Sequence, residues 1–63
     1  MLKRDIADKL YSKAIQRFRS ENPEIELTNP QMEAIWYSIY GVLKHEGQEA
    51  AERYVNTANL RSL

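Results

Sequence analysis

The segment Leu27–Gly47, LTNPQMEAIWYSIYGVLKHEG, has a helix start at one end and a helix stop at the other, and the remaining chain must fold around it. Thr28 can act as the N-cap, with Gln31 three residues on reaching back to close a capping box. Leu27 and Met32 occupy the two positions of a hydrophobic staple. Pro30 falls in the first turn, where its missing N–H costs nothing. At the far end Lys44 and His45 suit the negative pole of the helix dipole, and Gly47 is placed to adopt a left-handed C′ conformation. These signals predict a helix from about 29 to 46.

At 100° per residue, Met32, Ile35, Trp36, Ile39, Tyr40, Val42 and Leu43 cover an arc of roughly 160°, wider than the ~100° stripe of an ordinary surface helix. The reverse side is not cleanly polar. Ala34, Ser38 and Gly41 follow helical spacing there, with Tyr37 beside them. A glycine inside a helix costs about 1 kcal/mol relative to alanine, so Gly41 predicts a close approach by another backbone. Two readings follow. Either this helix is central and packs on both neighbours in its own chain, or a second chain contacts Ala34, Tyr37, Ser38 and Gly41. Both require a chain segment or a neighbouring molecule to lie against Tyr37 and Gly41; with neither there, the case for a binding surface collapses.

Residues 2–20 read as a first helix, with Ile6, Ala7, Leu10, Tyr11, Ala14, Ile15 and Phe18 on one apolar face. Arg4–Asp8 and Asp5–Lys9 are spaced as i, i+4 ion pairs. Lys9, Lys13 and Arg17 line one edge of the apolar stripe. They read either as a solvated flank whose aliphatic stems cover the core or as an accessory charged patch for an acidic partner or phosphate. Asn22-Pro23 ends this helix, because proline restricts the residue before it away from the α region. Glu24–Leu27 is then an extended connector that tucks Ile25 and Leu27 under the helices, since one four-residue stretch cannot make a sheet. A third helix, about 48–59, presents Ala50, Ala51, Tyr54, Val55 and Ala58 on one face. Its alanines favour a tight antiparallel hairpin with the second helix across Gly47. Leu60 and Leu63 fall off that face and are expected to be frayed or bound elsewhere.

Sixty-three residues make one domain, 1–63, and leave it short of core. No cysteine is present, so neither a disulfide nor a thiolate metal site is available. A lone histidine does not build a zinc site, and no metal or other cofactor is expected. The N-terminus has charges where a signal peptide needs its apolar core, and the apolar run Ala34–Leu43 is far shorter than the ~20 residues that span a bilayer. A soluble, cytoplasmic protein is expected, with no membrane partner.

Net charge is zero but uneven. Residues 1–20 hold six bases against two acids, and residues 21–52 hold seven glutamates against Lys44. That division predicts attraction between helices or a polarised surface.

Catalytic motifs are lacking: there is no phosphate loop and no nucleophile elbow. Glu46 and Glu49 flank His45, but a histidine in the last helical turn has a sufficient structural reason to be there. No enzyme activity and no small-molecule substrate are expected. Trp36, Ile39, Leu43, Gly47, Ala51, Val55 and Ala58 resemble the residue order of a tetratricopeptide repeat over about 25 residues. Gly41 stands one place late for that pattern, Leu43 replaces its tyrosine, the closing proline is missing, and the later matches need a one-residue deletion after Gly47. The resemblance implies a helix-pair interaction surface and no more.

The sequence therefore predicts an all-α, three-helix domain whose second and third helices form an antiparallel hairpin. Its expected role is protein–protein interaction, as an adaptor, inhibitor or regulator, with another protein or a second copy as partner. The alternative is a nucleic-acid-binding or transcription-regulatory protein that uses the basic first helix. It ranks lower because the second helix is too apolar to read bases, the third is acidic, and the pI is near 6.6.

Overall fold

A computed structural model describes residues 2–58, and within them the chain forms three helices: α1 Lys3–Glu21, α2 Asn29–Glu46 and α3 Gln48–Thr57. No strand occurs among the described residues. The third helix ends at Thr57, short of the expected 59, with Ala58 extended (φ −67°, ψ 143°); Leu60 and Leu63 lie outside the described residues. All three helices pack on one another, with α2 against both α1 and α3. This is a small all-α domain in which α2 and α3 form the predicted hairpin.

The start of α2 forms as its residues dictate. The Thr28 hydroxyl accepts from the Gln31 backbone N–H at 3.3 Å, and Gln31 Oε1 accepts from the Thr28 N–H at 2.9 Å. The capping box is complete, with Pro30 in the first turn. α1 ends at Asn22, whose side-chain amide and backbone N–H both donate to the Phe18 carbonyl. The Asn22 carbonyl accepts in turn from the Ile25 N–H, closing the turn through Pro23 and Glu24. Ile25 and Leu27 are half-buried against the core, as the connector requires.

Gly47 alone joins α2 to α3, and it departs from the expected left-handed cap. Its φ is +96° and its ψ 174°, a region essentially reserved for glycine. The sharper reversal lets one residue serve both helices: its N–H donates to the Leu43 carbonyl and its own carbonyl accepts from Ala51.

Ala7, Leu10, Ala14, Ile15 and Phe18 from α1, Ile35, Ile39 and Leu43 from α2, and Ala51 and Val55 from α3 form the core. Trp36, Tyr40, Val42 and Met32 pack around it half-buried. The wide apolar arc of α2 is thus covered by two neighbours in its own chain.

Two expectations fail. The Arg4–Asp8 and Asp5–Lys9 ion pairs do not form. The one salt bridge among the described residues is Arg17–Glu21, at 3.4 Å, and Asp8 instead accepts from Trp36 Nε1 at 2.8 Å. A neutral indole N–H is worth satisfying in a half-buried site, whereas an exposed i, i+4 pair gains only a few tenths of a kcal/mol. Among the described residues no ion pair links α1 to α2 or α3.

Candidate functional site

The core-facing residues of α2 are Ile35, Ile39 and Leu43, so at 100° per residue its outward side carries Glu33, Ala34, Tyr37, Gly41 and Lys44. Ala34 is exposed, Tyr37 is 67% exposed, and Ser38 and Gly41 are partly covered. A Cβ built on Gly41 would meet nothing within 4 Å. Among the described residues nothing makes the expected close approach at Gly41, which corrects the reading that its small residues serve packing with a neighbouring helix. α1 and α3 take up the other side of α2, so the backbone at Gly41 lies open.

Tyr37 is the outermost ring of an aromatic cluster. Trp36 stacks on Tyr40 with centroids 5.1 Å apart and 17° between planes, and Tyr37 meets Trp36 edge-on at 5.2 Å and 89°. Such pairs contribute about 0.5–1.5 kcal/mol beyond burial. The bond from Trp36 to Asp8 anchors the cluster to α1. Helical periodicity places Trp36 and Tyr40 in the core arc, apart from Tyr37. Their i, i+1, i+4 spacing was the available signal.

The accessory patch divides. Lys9 and Lys13 are exposed, but Arg17 is half-buried and committed. Its Nη1 donates to the carbonyls of Val55 at 2.9 Å and Ala58 at 3.1 Å. These carbonyls lie at the end of α3, where the last C=O groups have no partner within the helix and a cation complements the dipole. Arg17 fastens α1 to α3. Since that seam lies across the bundle from the outward face of α2, the two groups of residues do not join into one site.

Among the described residues no group of three or more His, Asp or Glu is placed to hold a metal ion. A wide-mouthed hollow beside the connector is lined by Arg19, Asn22, Glu24, Ile25, Leu27 and Met32 among others, with no paired acid and base. No helix among the described residues is long and apolar enough to cross a membrane. Comparison of the chain with protein-family models, curated proteins and solved structures returns no match.

Proposed function

We propose that this chain is a small protein–protein interaction module, an adaptor, inhibitor or regulator, with the outward face of α2 as its contact surface. One observation carries the reading. Tyr37 stands 67% exposed beside an open Gly41, on a helix whose core-facing side is already satisfied. A single exposed tyrosine is ordinary. A mid-helix glycine beside it is not, since it costs about 1 kcal/mol and gains no packing among the described residues. Aromatic rings on a rigid helix, next to a position that admits another backbone, are the composition of a binding hot spot. Cytoplasmic placement and a non-enzymatic role belong to the same proposal. So does an origin in bacteria or their phages, where short cysteine-free helical chains are common.

A photo-crosslinking residue at position 37 in the expressing host tests it, with position 12 on the exposed side of α1 as control. A protein adduct from 37 and not from 12 is expected. Equal yields from the two positions end the reading.

Nucleic-acid binding remains the second reading because Lys9 and Lys13 are exposed. Arg17's engagement with α3 removes the third base of that edge. A gel shift with duplex DNA and with RNA at low salt decides it, since phosphate binding by lysines is strongest there.

A further inference from the structure

The outward face of α2 complements its own reverse. Glu33 and Ala34 lie toward its N-terminal end, Tyr37 and Gly41 in the middle, and Lys44 and His45 toward its C-terminal end. Consider a second copy related by a twofold axis passing residue 39, with the two α2 helices antiparallel. Tyr37 then stands opposite Gly41, and Glu33 opposite Lys44 and His45. The symmetry repeats each match at the other end, as an isologous interface requires. The bulkiest exposed side chain meets the one position without a side chain, and a carboxylate meets cations about 16 Å away along the axis at ~1.5 Å per residue.

We infer that a second copy of this chain docks on the outward face of α2, antiparallel, with Tyr37 of each copy over Gly41 of the other. This rests on the reading of that face as a contact surface and names its occupant. Charge complementarity selects the arrangement. A parallel pair in register would place Glu33 against Glu33 and Lys44 against Lys44, whereas the antiparallel pair joins opposite charges and opposed helix dipoles. The open backbone at Gly41, where a Cβ would have no neighbour within 4 Å, gives the ring its seat. Trp36 and Tyr40, half-buried against the core, back the Tyr37 ring from within the chain. A single helix stripe supplies less than the ~800 Å² per partner of a standard interface, so association belongs at micromolar concentration, not nanomolar.

Sedimentation equilibrium of the full chain, from micromolar to millimolar, tests this with charge exchanges at the two exposed ends. Glu33→Lys alone and Lys44→Glu alone each place like charges together twice, and each is expected to weaken self-association by about tenfold. Glu33→Lys/Lys44→Glu in one chain is expected to restore it, and an equal mixture of the two single variants to form the mixed dimer. Circular dichroism confirms that each variant folds. A wild-type chain that stays monomeric at millimolar concentration, or single exchanges without effect, or a double exchange that fails to restore association, overturns the proposal. The cross-link from position 37 separates the two readings. An adduct to a different protein with a monomeric chain overturns the dimer and spares the contact surface, while no dimer and no adduct overturn both.

Discussion

The two sides of α2 answer to different constraints. On one side Ile35 and Ile39 are 1% and 0% exposed, held by α1 and α3. On the other, Ala34 and Tyr37 are exposed and a Cβ on Gly41 would meet nothing within 4 Å. Both sides carry apolar and small residues, so composition does not separate them. The inner side is tied to folding by close packing. The outer side is free of that demand among the described residues. The contrast predicts that stability should collapse on one side and stay level or rise on the other.

The largest effect is expected inside. Ile39→Ala should cost about 2–5 kcal/mol, enough to abolish cooperative unfolding in a chain this short. Ile39→Val, at about 0.5–1.5 kcal/mol, keeps the measurement possible in chemical denaturation. A loss from Ile39→Val no larger than from an outer substitution would break the contrast.

Gly47→Ala comes next. A Cβ in a conformation near φ +96° should cost about 1–3 kcal/mol, read as a lower denaturation midpoint. There is open space around the site, so the loss would report backbone strain and not a clash.

Gly41→Ala should act in the opposite direction. It should stabilise the monomer by about 1 kcal/mol, raising the thermal midpoint by roughly 4–8 °C at protein concentrations too low for association. A destabilised variant would mean that something lies against Gly41 after all. In the expected outcome two glycines six positions apart in the chain differ in sign.

Tyr37→Ser should be smallest, within about 0.5 kcal/mol, although it gives up the edge contact with Trp36. A larger loss would place Tyr37 in the fold and not on the binding face.

How much of this was legible in the sequence depended on range. The capping box at Thr28 and Gln31, the break at Asn22-Pro23 and the alanine face of α3 are local, and each could be read from neighbours a few residues away. Contacts that span the chain were not legible. Arg17 reaches 38 residues to Val55, and no local pattern distinguishes a basic residue flanking solvent from one that caps a distant helix. Asp8 likewise had a plausible partner one turn away in Arg4 and took Trp36 instead, 28 residues on. Gly41 misled because a helix glycine signals a close approach without saying to which chain. The candidate site was legible as a set of residues sharing one side of α2. Whether that side faced inward depended on how the helices dock, which the broad apolar arc left undetermined.

The indole of Trp36 has a use beyond its packing. It is the sole tryptophan, its N–H is held by a carboxylate on a different helix, and it lies against the ring of Tyr40. Separation of α1 from α2 would strip away that carboxylate, so the emission of this fluorophore reports the state of one seam alone. Far-ultraviolet ellipticity follows the whole backbone. Melts followed by the two signals that fail to coincide would reveal a species in which the hairpin persists after α1 has left, without any label having been attached.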